Sequence, residues 1–178
     1  MQARDDPSSE CVDGSPESAE FEAFFREHYR AIVRLAQSVV GDPYRAQDVA
    51  QEVFLAAYRR FGGDYGQATG WVRVSAVHTA LNVLRGERRR DNRQRLVQRD
   101  GASPSAEDTV IDREARGEIR RVLARLPRRS AAVLVMRHGG MSYVEIADAV
   151  GVKAGHVGTL LRRAESALRK EIERETHS

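Results

Sequence analysis

Apolar residues recur at three- and four-residue spacing along most of the chain, in blocks separated by glycines, prolines and polar stretches. From Glu20 onward, Phe21, Phe24, Phe25, Ile32, Leu35, Ala36 and Val39 share one helical face, which predicts an amphipathic helix to about Val40. Gly41 ends it. Asp42 is a good N-cap and Pro43 suits a first helical position, so a second helix starts there and runs through Val49, Val53, Phe54 and Ala57 to about Arg60. The stretch from Phe61 to Gly70 holds four glycines and no period, and reads as a loop. A third helix starts near Thr69 and carries Trp71, Val74, Val77, Leu81 and Leu84 into Arg88, Arg89 and Arg90.

Positions 91 to 111 are polar and lose the period, and Gly101, Ser103, Pro104 and Ser105 mark a linker. Helical spacing returns near Asp112, carries Ile119, Val122, Leu123 and Leu126, and stops at Pro127, which has no N–H to donate. A helix from Arg128 to His138 follows, presenting Ala132, Val133, Val135 and Met136 and closed by Gly139 and Gly140. Neither strand alternation nor an internal repeat occurs. The chain therefore predicts an all-α fold: a disordered acidic tail over 1–18, a helical domain over 19–90, a flexible linker over 91–111 and a second small helical domain over 112–178.

The segment from Ser142 to Ala164 carries the sharpest local signal. Ser142 and Glu145 have the S-x-x-E spacing of a capping box, in which each side chain takes up an unpaired backbone N–H at a helix start. Ala147 permits a close helix crossing and Gly151 a tight turn, while Val157 and Leu161 stand one turn apart to pack a second helix back on the first. This is the pattern of a helix-turn-helix. Lys153, His156, Thr159, Arg162 and Arg163 lie on or beside the second helix, the element that enters a major groove in such units. A helical hairpin inside an ordinary bundle would share much of the same spacing.

Charge sharpens this picture through its distribution. The formal net charge of +3 over 178 residues says little, but Met1 to Glu20 holds six acids and one arginine, whereas Arg85 to Asp100 holds seven arginines and three acids. The basic block can track phosphates, or be a solvated face. Cys11 is the only cysteine, which leaves no internal disulfide and no cysteine-based zinc set. No apolar run reaches bilayer length and the acidic start lacks a secretory pattern, so a soluble cytoplasmic protein with no membrane partner is expected. Five scattered histidines and no phosphate-cradling glycine loop argue against an enzyme, and neither a metal nor another cofactor is expected. Asp48, Gln51 and Glu52 share one helix face opposite Val49, Val53 and Phe54; docking on a basic partner, an ordinary solvated face and a carboxylate metal site are the readings open to them, the last lacking Glu-x-x-His partners.

Taken in order, GDPYRAQDVAQEVFLAAYRRF, a glycine-containing loop, Trp71, an arginine-ended helix, a linker and VLARLPRRSAAVLVMRHGGMSYVEIADAVGV resemble a bacterial sigma factor of the extracytoplasmic-function group, over about Phe21 to Glu173. The resemblance implies two domains: sigma region 2, which binds the RNA polymerase clamp and opens the minus-ten element, and sigma region 4, whose helix-turn-helix binds the minus-thirty-five element. It implies core RNA polymerase and promoter DNA as partners, and an anti-sigma factor as a partner common in the group. Asp48, Gln51 and Glu52 fall where the group meets polymerase. The loop from Phe61 with Trp71 falls where a base flipped from the non-template strand is caught, so Asp64, Tyr65, Trp71, Arg73, His78, Asn82, Arg85, Arg88 and Arg89 become candidate minus-ten contacts. For Trp71 the plainer reading is a core ring at a helix start. The resemblance also implies that the linker threads the polymerase cleft, with Asp100, Glu107, Asp108 and Asp112 among basic surfaces; a plain tether fits the same composition.

The chain departs from the group in two places. Relatives carry Arg-Asn where Val77 and His78 stand and Asp where Asn82 stands, and Thr-Val-Lys-Ser-Arg where this chain reads His156, Val157, Gly158, Thr159, Leu160. Two cations are thus missing from the second helix of the helix-turn-helix, and the recognised promoter sequence does not transfer. A repressor or activator that uses the helix-turn-helix without a sigma role is the competing class; it would select palindromic sites without polymerase.

Overall fold

The computed structural model describes residues 16–94 and 110–176, which form seven helices: α1 (Pro16–Val40), α2 (Pro43–Phe61), α3 (Ala68–Gln94), α4 (Val110–Arg125), α5 (Arg128–His138), α6 (Tyr143–Val150) and α7 (Ala154–Thr176). Helices α1, α2 and α3 pack together, as do α4 to α7 around α7. The all-α expectation holds throughout the described residues. Helix α1 begins four residues earlier than the period suggested, because Pro16 fits a first turn and Glu17 places a carboxylate at the positive end of the helix dipole. The linker is also shorter than expected, since α3 continues to Gln94 and α4 starts at Val110. Asp100, Glu107 and Asp108, with most of the expected tail and Cys11, lie outside the described residues.

Local chemistry sets the helix ends. Asp42 caps α2 by accepting the Arg45 N–H at 2.8 Å, with Pro43 behind it. Gly41 turns the corner from α1 at φ +78°, a conformation that a side chain would strain, with the Arg120 guanidinium of α4 lying across it. The capping box of α6 is complete: Ser142 Oγ accepts the Glu145 N–H at 3.2 Å, and Glu145 Oε2 accepts the Ser142 N–H at 2.7 Å. Gly151 closes α6 in the left-handed region at φ +66°.

Helix α3 is central. Val72, Ala76, Val77, Ala80, Leu81 and Leu84 are all buried, partly against α1 and α2 and partly toward α4 and α5. Within the first group an aromatic cluster joins α1, α2 and the loop after it: Phe24 and Phe25 meet Phe54 edge-on at 5.7 and 4.9 Å, and Tyr65 stacks on Phe24 at 5.1 Å. In the second group Val122, Met136, Met141, Ile146, Val157, Leu161 and Ala164 build the core, and Arg121 and Arg125 pair with Glu175 to hold α4 along α7.

The two groups, joined in sequence by the linker, also touch one another. Leu35 of α1 lies so close to Gly139 that a β-carbon there would sit 2.6 Å from it. Arg73 of α3 donates to Glu145 Oε1 at 2.8 Å and to the Gly139 carbonyl at 2.9 Å. Farther along, Arg85 donates to the Leu126 carbonyl at 3.0 Å and Arg128 donates to Asn82 Oδ1 at 2.7 Å. The Leu126 carbonyl is an acceptor left over where α4 ends before Pro127, and the Gly139 carbonyl is one left over past the end of α5.

His78 sits half-buried on this seam. Burial, then Arg128, then Arg85, hold its imidazole below its ordinary value of 6.5. A depressed imidazole contributes stability that is whole above the unfolded value and drains as pH falls through it, since the folded chain resists the proton that the unfolded chain accepts. Stability to denaturant should therefore decline from about pH 7.5 to about pH 5.5, and His78→Gln should flatten that slope; an unchanged slope assigns the loss elsewhere. The glycines give a second test. Gly41→Ala should destabilise by about 1–3 kcal/mol through backbone strain. Gly86→Ala, in mid-helix with open space around it, should stabilise by about 0.5–1 kcal/mol in the same urea titrations.

Candidate nucleic-acid and polymerase interfaces

Helix α2 turns Val49, Val53 and Phe54 inward and leaves Asp48, Gln51 and Glu52 exposed on its outer side, as the helical period requires. Three large residues accompany them: Tyr44, Leu55 and Tyr58 are 75%, 51% and 42% exposed. Tyr44, Asp48, Gln51, Leu55 and Tyr58 recur at four and three, so they form one stripe along the helix. Reading the sequence for buried faces passed over these rings; their signal was apolar residues on the polar side of an otherwise amphipathic helix. An exposed mixture of carboxylates, an amide and large apolar groups suits a macromolecular partner better than a solvated face. Among the described residues, no cluster of three or more His, Cys, Asp or Glu is placed to hold a metal.

The loop between α2 and α3 is pinned from below. Gly62 closes α2 in the left-handed region, Asp64 Oδ1 accepts the Gly66 N–H at 3.2 Å, and Tyr65 is buried against Phe24, Phe21 and Phe61. Tyr65 therefore does not offer its ring to a ligand. Its hydroxyl is buried, and burial raises its pKa against the opposing pull of the Gly63 backbone beside it. Trp71 is half-buried, edge-on to Phe61 at 5.6 Å, with Arg60 over both rings at 5.5 and 5.6 Å. The core reading and the surface reading of Trp71 each describe one side of it. Thr69 is tied to α1 through His28 at 3.2 Å, a link no spacing rule reveals.

The candidate DNA residues on α3 divide. Asn82, Arg85, Arg88 and Arg89 come together at one end, around a cavity of about 520 Å³ completed by Ala124 and Arg128. Arg73 lies toward the other end, engaged with Glu145, and His78 stands between them within the field of Arg128 and Arg85. In the second group, Val157, Leu161 and Ala164 face the core, while Lys153, His156, Thr159, Arg162 and Arg163 are exposed together along the first turns of α7. Residues 153, 156, 159 and 163 follow three- and four-residue steps and Arg162 flanks them, so a single row of cations, imidazole and hydroxyl is available to a groove. Hydrogen bonding from Ser142, its backbone first, with Arg73 also beside it, holds the Glu145 carboxyl below its usual range. The start of the helix-turn-helix thus carries a firmly ionised carboxylate.

Comparison with known proteins covers both groups. Residues 24–90 match the Sigma-70 region 2 family model and residues 116–168 match Sigma-70, region 4. The RNA polymerase sigma-E factor of Streptomyces avermitilis is 31% identical over 160 residues, covering 88% of this chain and 87% of that protein. The RNA polymerase sigma-H factor of Pseudomonas aeruginosa is 29% identical, covering 86% of each, and the ECF RNA polymerase sigma factor SigE of Mycolicibacterium smegmatis is 27% identical, covering 95% of this chain and 69% of that protein. Among solved structures, CnrH in complex with the cytosolic domain of CnrY is similar in fold, with a TM-score of 0.56 at 20% identity over 89% of this chain and 95% of that one. Sigma factor RpoE in complex with the anti-sigma factor NepR from Bartonella quintana gives 0.54 at 16% identity, over 86% and 97%. A regulator built on the helix-turn-helix alone is not favoured, because the first group matches as well as the second. Both groups, in this order and at this coverage, place the chain in the sigma-70 family as an alternative sigma factor of the extracytoplasmic-function group.

Proposed function

We propose that the chain works by two-handed attachment: the first helical group, over 19–90, docks core RNA polymerase and engages the minus-ten element, and the second, over 112–178, holds the minus-thirty-five element. The observation that carries this reading is the match of both regions within one chain, on surfaces that are chemically different and separately exposed. Asp48, Gln51 and Glu52, with Tyr44 and Leu55 beside them, form the polymerase-facing stripe of α2. Asp64, Trp71, Arg73, His78, Asn82, Arg85, Arg88 and Arg89 handle the opened strand, with Tyr65 serving to anchor the loop from beneath. Lys153, His156, Thr159, Arg162 and Arg163 contact upstream duplex. The protein supplies binding and positioning without catalysing a reaction of its own, needs no cofactor or metal, and works in the cytoplasm; no described helix is long and apolar enough to cross a membrane. An anti-sigma factor fits the same surfaces, in line with the two solved relatives bound to such partners or to a cytosolic domain.

The seam between the groups supports this reading. Arg73 and Arg85 are occupied by Glu145 and the Leu126 carbonyl, and Arg128 engages Asn82 Oδ1, so these groups compete with a DNA strand for the same side chains. Free chain should therefore bind promoter weakly, and polymerase must part the groups and align both hands, whereupon the second contact gains from effective concentration.

Purified chain mixed with core polymerase and genomic fragments should direct transcription from defined starts. The double charge reversal Asp48→Lys with Glu52→Lys should lower that output at least tenfold with helical content unchanged; full output would remove the α2 stripe from the interface. Arg162→Ala or Arg163→Ala, if these guanidinium groups meet phosphates, should weaken holoenzyme binding across unrelated promoters and reduce the salt slope by about one. A loss confined to particular base substitutions would make them base readers instead.

A further inference from the structure

The cavity at the end of α3 is lined by arginines that no carboxylate among the described residues balances. Arg85, Arg88, Arg89 and Arg128 converge on it with Asn82, and none of the four arginines is ion-paired with a carboxylate among the described residues. Their internal partners are neutral: the Leu126 carbonyl for Arg85 at 3.0 Å, the Ala124 carbonyl for Arg88 at 3.4 Å, and Asn82 Oδ1 for Arg128 at 2.7 Å. Arg85 Nη1 is buried and has no hydrogen-bond partner among the described residues. Neighbouring guanidinium groups repel and a buried unpaired donor is unfavourable, so an anion placed among them would relieve both. Some arginines elsewhere on this molecule are ion-paired, Arg45 with Glu87, Arg73 with Glu145, and Arg121 and Arg125 with Glu175, while Arg129 and Arg137 also meet carbonyls, of Val150 and Met141; what sets the cavity apart is that four guanidinium groups line one space.

We propose that this cavity is a binding site for a compact oligophosphate anion, held by guanidinium forks from both helical groups at once. The chemistry fits in three respects. Planar guanidinium forks bind phosphoryl oxygens in pairs. A volume of about 520 Å³ is that of a small-ligand site, with room for a short run of phosphoryl groups. Arg88 and Arg89 are exposed, so the anion has an entrance, while Arg85 closes the inner end. Bound there, the anion neutralises repulsion between α3 and α5 and fastens the two groups in the arrangement seen here. A nucleic-acid backbone offers related chemistry; the anion site differs in that Ala124 and Arg128 of the second group complete its lining, so it exists only while the two groups are together. The regulatory consequence, competition between anion and promoter, rests on the assignment of these arginines to the minus-ten strand; the anion site itself does not.

Titration of the full chain with inorganic tripolyphosphate, by calorimetry and by thermal melting at about 0.15 M salt, tests the site. Saturable one-to-one binding with a raised melting temperature is expected, and Arg128→Gln and Arg85→Gln should each weaken it at least tenfold. Arg128→Lys, which keeps the charge but not the fork, should fall between. Arg169→Gln with Lys170→Gln, exposed cations on the far part of α7, should leave binding intact. Absence of saturable binding by wild-type chain overturns the proposal, and so does an equal loss in the α7 variant, which would mean diffuse polyanion association. Tighter binding of a single-stranded oligonucleotide than of tripolyphosphate, lost in Arg128→Gln, would make the cavity a nucleic-acid backbone site and also overturn it. Start-site selection by the polymerase complex is measured separately, so failure of the anion site and failure of the sigma role remain distinguishable.

Discussion

The structure depends on one helix being buried from two directions. Helix α3 has to complete the core of the first group through Val72, Ala76, Ala80 and Leu84, and it also lies against α4 and α5. A helix in that position has little circumference left for water, so its polar residues are pushed to the seam and to its C-terminal end. That is where Arg73, His78, Asn82 and Arg85 stand. Their concentration in one place follows from packing as much as from any need to bind DNA. The same constraint explains why long cationic side chains reach carbonyls and one carboxylate at the margin of the junction, around an apolar core that runs from one group into the other.

Much of this was legible in the residues. Asp42 with Pro43, Ser142 with Glu145, and Gly151 are local signals whose meaning is fixed within one helical turn, and each stands where its chemistry requires. The α5 boundaries, between Pro127 and Gly139, follow from the same kind of punctuation. The face of α2 opposite Val49 and Val53 was readable too, although Tyr44 and Leu55 on it were not, because period analysis looks for what is buried. The burial of Tyr65 was not readable for the converse reason: in a glycine-rich loop an aromatic ring can face either way, and only the position of Phe24 on another helix decides.

The seam itself was beyond reach of a single sequence. Arg73 and Glu145 are 72 residues apart, and Arg85 and the Leu126 carbonyl 41. Nothing in local spacing links them, and a carbonyl acceptor leaves no trace in the residue type that bears it. Pro127 was read as a helix stop; that it also frees acceptors for α3 emerges only once the two elements are side by side.

Glu145 splits its two oxygens between two tasks: Oε2 takes the Ser142 N–H within the capping box, while Oε1 takes Arg73 from the other group. Withdrawal of Arg73 therefore strips one oxygen and leaves the other in place. The cap that winds the first turn of α6 is thus complete within its own group and does not draw on the clasp to α3.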